Sequence, residues 1–445
     1  MFKAIRRYYW VSQGFLARHL PIIVRTAGIV LLGVLIYFLS ARYIPTPKQT
    51  LRIGRVGKYN LETFPSDIRS KISQGLVSVS QDGTTHRQLA KSWEIKDDGK
   101  TYVFTLDRDI TWHDGSKLAP SDISYNFKDV DVTLSEDTIT YHLKEPFSPF
   151  LAAVSSPILK QSKLGTGEYR LTKSRLNKGV LQSITLESET QRLIYKFYPT
   201  EISSLTAYKL GEIDVVERLS FLPPDLSGDN TSQLEETKSV GSEQSVLFFN
   251  NNDVLLSSKP VRQALAYAIK DKSFGKERTT SPIDKGSWAY NNLVKTYDYD
   301  PAKAKTLISQ EIKDISAQKI ELKTILRYLD IAESIATSWR DTLGIQVEVK
   351  VVSNITSDYQ VLLTDFNPPS DPDQYSIWHS TQSTNFTHFS NLKIDKLLED
   401  GRRSGDLKLR KEIYQDFQRF LLEDCPAVFL FKSGSYTLSR KTLFN

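Results

Sequence analysis

Residues 87–123, RQLAKSWEIKDDGKTYVFTLDRDITWHDGSKLAPSDI, constrain the fold of this chain more than any other stretch. Trp93, Ile95, Tyr102, Phe104 and Leu106 fall on alternating positions of two short runs, and Asp97-Asp98-Gly99-Lys100 between them is turn chemistry, so the pattern predicts a β-hairpin. A second turn follows at His113-Asp114-Gly115, with Trp112 beside it read as structural. Pro120, Ser121 and Asp122 then offer a helix start ahead of Ile123, Tyr125 and Phe127.

Strand and helix signals alternate through the rest of the body, which predicts α/β architecture. Strands are expected at residues 51–54, 139–143, 182–186, 194–198, 213–215, 245–250, 345–352 and 427–431. Helices are expected at 203–210, 261–269, 302–308, 331–343, 394–398 and 409–422. In the 331–343 helix, Ile331, Ile335, Trp339 and Leu343 recur at helical spacing and Gly344 closes it. A chain of 445 residues that is 40% hydrophobic can bury two cores. The strand at 245–250 reads as the crossing from a first domain to a second, and 427–431 as the strand that returns. Two lobes joined by crossing strands suit a ligand trap, because a ligand between them is buried from both sides.

Charge divides the chain unevenly. Lys3, Arg6, Arg7, Arg18, Arg25 and Arg42, with no acid among residues 1–42, account for the whole formal charge of +6, so the remainder balances 52 basic against 52 acidic residues. A neutral body has no basic face for nucleic acid. Residues 26–41 carry no charge and are rich in Ile, Leu and Val, short of the roughly 20 apolar residues of a comfortable span. Residues 21–24 and snorkelling by Arg25 and Arg42 extend the run. One N-terminal transmembrane helix over 26–44 is expected, with residues 1–25 as a cytoplasmic flank, 45–50 as a tether and the body outside the cell membrane, by the positive-inside rule. A cleaved signal peptide is the alternative, against which stand the poor cleavage site at Leu39-Ser40-Ala41 and the lack of a following cysteine.

Catalytic and metal constellations are not evident. No pair among the six histidines has the helical spacing of a zinc site, although His379 and His388 share a loop region that leaves a metal-chelate ligand open. No GxSxG, GxxxxGK[ST] or GxGxxG occurs. The single cysteine, Cys425, precludes an internal disulfide and reads as a buried structural thiol. Neither enzyme activity nor a cofactor is expected.

The wording LAKSWEIKDDGKTYVFTL and then TWHDGSKLAPSDI resembles the signature of the family 5 extracellular solute-binding proteins, the peptide, dipeptide and nickel receptors of ABC importers. Further fragments resemble the family in the same order: GTGEY at 165–169, GEID at 211–214, PVRQALAYAI at 260–269, YDPAKA at 299–304 and DPDQY at 371–375. The resemblance runs over residues 51–430. It implies the two-lobed class II periplasmic-binding-protein fold, with lobe I over 51–245, a small subdomain about 82–160 within it, lobe II over 246–422, and 423–445 returning to lobe I. The chain between Asp122 and residue 139 is shorter than the helical insertion that relatives carry, so the subdomain is expected to be reduced.

The same resemblance places a cleft loop at residues 362–372. Phe366 stands at its tryptophan position, beside Asn367. The aspartate that pairs with a peptide's amino terminus in relatives falls on Pro369 or Ser370, leaving Asp365 or Asp371 as substitutes. Trp288, Tyr290 and Trp378 lie in irregular stretches flanked by glycine or serine, and Tyr59 on the loop after the first strand; these rings are candidates for lining a pocket or for plugging the inter-lobe surface. The function implied is a membrane-anchored, monomeric extracytoplasmic receptor for peptides or other small solutes that feeds an ABC permease. A ligand-sensing or scaffold protein that uses the fold for protein contacts is the alternative, and a hydrolase would need a nucleophile–base pair that the sequence does not display.

Overall fold

A computed structural model of the chain describes residues 2–41, 48–220, 232–237, 243–352, 355 and 358–440. Two compact units divide it: Met1–Thr50 with Glu189–Arg192, and Leu51–Ser188 with Leu193–Asn445. In the first unit Phe2–Ala41 is helical, with Pro21 inside. Among the described residues no single helix is long and apolar enough to cross a membrane. Tyr8–Ile22 and Val24–Ile36 pass that test only as a pair bent by 50°. Pro21 falls in the last turn of the first of these segments, where it removes one backbone donor from the helical ladder. The single span expected over 26–44 is not found among the described residues, and residues 42–44 lie outside them.

The second unit is built on three main sheets. The first has seven strands, in the order Ser232–Thr237, Ser435–Arg440, Val215–Leu219, Gln49–Val56, Gln191–Tyr198, Val180–Glu187 and Arg170–Asn177. Gln49–Val56 runs parallel to Val215–Leu219, with Ile53 opposite Val215. On one face Ile53, Ile184, Leu186 and Tyr195 pack with Ile68 and Ile72 of the helix Ser66–Ile72. On the other, Val216, Leu219 and Leu438 pack with Leu205 and Tyr208 of the helix Glu201–Lys209.

The second sheet has five strands: Gln346–Val351, Lys319–Thr324, Val361–Phe366, Gln244–Phe249 and Ala427–Lys432. Val361–Phe366, Gln244–Phe249 and Ala427–Lys432 are buried on both faces and are mostly apolar, while Lys319–Thr324 and Gln346–Val351 alternate apolar with charged or polar residues towards the sheet's edge. Leu247 and Phe249 join the core under Lys259–Ala268, Pro301–Glu311 and Leu329–Leu343. Val246 and Phe248 point to the core under Leu392–Arg403 and Leu407–Asp424. One expectation is corrected here. Ala427–Lys432 does not return to the first sheet but pairs antiparallel with Gln244–Phe249; the return is made by Ser435–Arg440, which pairs with Val215–Leu219. Five consecutive buried residues in Ala427–Lys432 need a sheet covered on both faces, and the second sheet provides it.

The third sheet holds the predicted hairpin, Ala90–Lys96 at its edge against Thr101–Leu106, with Trp93 opposite Phe104 and Ile95 opposite Tyr102. Thr138–Leu143 and Val130–Leu134 complete its four strands. The helix expected after Pro120 is a single 3₁₀ turn, Pro120–Asp122. Beyond it Tyr125 and Phe127 lie along the sheet's core, stacked at 5.3 Å, and the Tyr125 hydroxyl donates to the carbonyl of Val154 at 2.5 Å. Spacing of two between Ile123, Tyr125 and Phe127 belongs to extended chain, and it outweighed the helix-start residues. Trp112 is buried, its indole N–H donating to Asp122 Oδ2 at 2.9 Å.

Candidate functional site

The first strand, Gln49–Val56, brings Arg55 to the edge of a cavity of about 600 Å³ beside the first sheet. Tyr59, Asp67 and Lys71 line it from the loop and helix that follow, Glu201 from the start of the helix Glu201–Lys209, and Glu217 and Arg218 from the strand Val215–Leu219. Glu243 and Arg327, from segments that adjoin strands of the second sheet, close it.

Arg55 is only 4% exposed and forks between two carboxylates, Glu217 Oε2 at 2.6 Å and Asp67 Oδ2 at 2.8 Å. Burial disfavours its charge, but the two acids outweigh burial and hold the guanidinium's pKa above its ordinary value. Arg327 pairs with Asp365 Oδ2 at 3.0 Å, and the Tyr328 hydroxyl also bonds Asp365. Burial pushes that hydroxyl's pKa up, which keeps it a donor. Glu201 accepts from the backbone and hydroxyl of Ser220 at 3.0 and 2.9 Å. Glu243 differs: burial and then the charge of Asp365 raise its pKa, and Asn367 is the side chain that hydrogen-bonds it.

A second cavity, about 730 Å³, lies between the third sheet and helices of the second. Gly83, Ile95, Tyr102 and Ser148 line it on one side, Trp288, Asp371, Arg403 and Arg410 on the other. Arg410, buried, pairs with Asp371 at 2.7 Å and lies over the Trp288 ring at 5.3 Å. Arg402 pairs with Asp373 at 2.9 Å.

The residues singled out from the sequence fall in different places. Tyr59 lines the first cavity, its ring edge-on to Phe197 at 5.2 Å. Trp288 and Asp371 line the second. Asp365 lies behind Arg327, and Asn367 touches Glu243. Tyr290 lines neither cavity and faces Thr280 at 3.4 Å. Phe366 and Trp378 are corrected. Phe366 is 6% exposed, at ring-centroid distances of 6.2 Å from Phe248 and 6.0 Å from Phe429. Trp378 is fully buried, with its indole N–H on Gln374 Oε1 at 2.8 Å. Both fill the second core: Phe366 ends the strand Val361–Phe366 and Trp378 lies in the short helix Tyr375–Trp378, and each packs on the sheet face that carries Val246 and Phe248. Arg55, Arg218, Glu243 and Arg327 were not anticipated; Arg55 and Arg218 sit within the short strands QTLRIGRV and VVERL, where a charge beside apolar residues is the signal that points to these two. Among the described residues no cluster of three His, Cys, Asp or Glu side chains is arranged to hold a metal ion.

Comparison with known proteins agrees with this architecture. The family description "Bacterial extracellular solute-binding proteins, family 5 Middle" matches residues 84–388. A probable D,D-dipeptide-binding periplasmic protein of Escherichia coli is 23% identical, over 84% of this chain and 84% of its own. The nickel-binding periplasmic protein of the same organism is 25% identical over 54% of this chain and 56% of its own. Among solved structures, NikZ of Campylobacter jejuni in complex with Ni(L-His) superposes with a TM-score of 0.73 at 24% identity, covering 89% of this chain and 95% of that one. Bacillus subtilis AppA in complex with a nonapeptide gives 0.68 at 18% identity, covering 89% and 95%. The chain belongs to the bacterial extracellular solute-binding proteins, family 5. Its relatives and structural neighbours are substrate-binding proteins, not enzymes, and it is a binding protein of the same kind.

Proposed function

We propose that the chain is an extracytoplasmic receptor, tethered to the cell membrane by its N-terminal helix, that captures peptides or a similar small solute and delivers it to an ABC import permease. The reading takes residues 51–245 as lobe I, with a reduced subdomain about 82–160, 246–422 as lobe II and 423–445 as the return, the whole acting as a monomer. One observation carries it: the cavity of about 600 Å³, within the range of small-molecule sites, draws its walls from strands of the first sheet and from Glu243 and Arg327, next to strands of the second. A ligand there touches both lobes, so binding favours closure by its differential contacts with the closed state. Relatives named for dipeptides and nickel support a small polar solute as the ligand class.

The test is mass spectrometry of material released on denaturing the full chain, purified in mild detergent without prior ligand stripping. A ladder of co-purified peptides is expected. An empty protein that also shows no thermal shift against peptide pools contradicts the receptor reading and favours a scaffold.

A further inference from the structure

The outer edge of the first sheet carries one sign of charge. Residues 169–186, which make up nearly all of the hairpin Arg170–Asn177 and Val180–Glu187, hold Arg170, Lys173, Arg175 and Lys178 and no acid, in a body whose charges sum to zero. All four side chains are exposed, and none makes an ion pair with the described residues. Lys163 joins them. Left-handed residues at Gln161, φ +53°, and Ser162, φ +58°, turn the chain ahead of it. Lys160, before that turn, is held by Asp122 at 3.0 Å, whereas Lys163 has no acidic partner among the described residues.

Strand pairing puts these charges on the face that the core does not use. Lys173 stands opposite Thr185 and Arg175 opposite Ser183, while Ile184 and Leu186 point the other way, into the core. Lys163, Lys173, Arg175, Ser183 and Thr185 together line a cavity of about 550 Å³. The register slips on either side of Lys173–Arg175, between Leu171 and Lys173 and between Arg175 and Leu176. A bulged, charged edge is a poor template for another strand, so the surface does not suit strand addition. What it offers a partner is cations beside hydroxyls, the donors that phosphate oxygens accept from.

We infer that this hairpin docks the body on the anionic phospholipid headgroups of the membrane that its N-terminal helix is proposed to enter. The inference rests on that tethered reading. The first strand, Gln49–Val56, which follows the tether, lies three strand spacings, about 14 Å, from Arg170–Asn177. The anchor therefore raises the effective concentration of headgroups at the hairpin. A free acidic protein or a nucleic acid gains nothing from that proximity. Each cation beside an anionic surface strengthens attachment about fivefold, so the cluster acts where a lone lysine does not. Docking holds the body against the bilayer instead of leaving it to swing on its tether.

Energy transfer tests this on the full chain reconstituted into phosphatidylcholine vesicles with and without phosphatidylglycerol. Asn177→Cys, exposed at the hairpin's tip, carries the donor dye, since Cys425 is buried, and headgroup-labelled lipid is the acceptor. Transfer should be higher with phosphatidylglycerol and should fall to the neutral-lipid value at about 1 M salt, where the screening length is about 3 Å. Lys173→Glu with Arg175→Glu should abolish the gain and leave the unfolding midpoint in place, because neither side chain has an ion pair to lose. Lys408→Glu with Lys411→Glu, an equal change of net charge at exposed positions of the helix Leu407–Asp424, should keep the gain. Equal transfer on the two lipids, a gain that survives in Lys173→Glu with Arg175→Glu, or one that disappears as fully in the Lys408 and Lys411 variant, overturns the docking and leaves the tether standing. A chain that does not float with vesicles of either composition removes both.

Discussion

Cys425 ends the helix Leu407–Asp424 in the left-handed conformation, φ +55°, with its thiol fully buried against the carbonyl of Arg262 at 3.8 Å. Burial pushes the thiol pKa up to about 12, so almost no thiolate exists at neutral pH, and thiolate is the reactive form. Thiol reagents at pH 7.5 should leave the native chain unmodified and label it stoichiometrically in denaturant; native labelling would mean that the helix end opens locally. Glu243 is the opposite kind of residue, a carboxyl kept in place against its own ionisation. Because its folded pKa is raised, it binds its proton more tightly in the native state. Its stabilising contribution is present at acid pH and is lost as pH climbs through the raised value. At neutral pH the ionised group destabilises the ligand-free fold. Glu243→Gln should therefore raise the unfolding midpoint at pH 7, with the gain shrinking as pH falls through the raised value and gone below the ordinary carboxylate value of about 4. An unchanged midpoint at pH 7 would show that the carboxyl is solvated.

At the scale of elements, two sequence fragments far apart in the chain meet at one joint. The turn at His113 and the Gly165-Thr166-Gly167 segment close over the end of the helix Ser66–Ile72. Gly167 donates its N–H to the Ile72 carbonyl at 2.8 Å, His113 donates its own to Gly165, and the His113 ring bridges Gly165 N–H and Gly167 carbonyl. A Cβ at Gly165 would lie 1.9 Å from the Ile72 carbonyl oxygen, a backbone atom that cannot swing aside. Gly165→Ala should cost about 2–3 kcal/mol in denaturant unfolding, the upper range for overpacking, and a loss under about 0.5 kcal/mol, the range of neutral surface changes, would show that the joint is loose. The segment was legible as a turn, but not as a helix cap, because its partner lies nearly a hundred residues earlier. The same distinction holds elsewhere. The hairpin at residues 90–106 and the strand Gln244–Phe249 were legible because alternation, turn chemistry and a short apolar run are local. The bulge at Arg218 was not, since it exists only in the pairing with Ser435–Arg440. Phe366 and Trp378 misled for a related reason: neither a resemblance to a cleft loop, as for Phe366, nor an irregular local stretch, as for Trp378, shows whether a ring faces a cavity or a core.

For the whole molecule, the question is what holds the third sheet against the second sheet's helices around the larger cavity. The conspicuous contact is the ion pair Arg403–Glu145 at 3.0 Å, but its side chains are 47% and 67% exposed, and such pairs contribute about 0–1 kcal/mol. The backbone contacts are better placed. Ser148 donates its N–H to the Arg402 carbonyl at 2.8 Å, and Trp288 donates its own to Gln81 at 3.0 Å, beside Gly83, whose φ is +83°. A Cβ at Gly83 would come within 2.8 Å of the Trp288 ring. Arg403→Glu should therefore change solute affinity less than about threefold, the weight of an exposed pair. Gly83→Val should separate the two faces, because it adds a β-branched side chain where neither φ nor space admits one. Hydrogen exchange reads the difference: the Trp288 and Ser148 amides should be protected in the wild type and exchange freely in Gly83→Val. If both amides already exchange freely in the ligand-free wild type, the closed arrangement depends on solute. If they are protected, closure is in part built into the chain, and the receptor must open before it can load. Apparent affinity is then reduced by the fraction of molecules that are open, so Gly83→Val, by favouring opening, should speed solute association even as it weakens the closed complex.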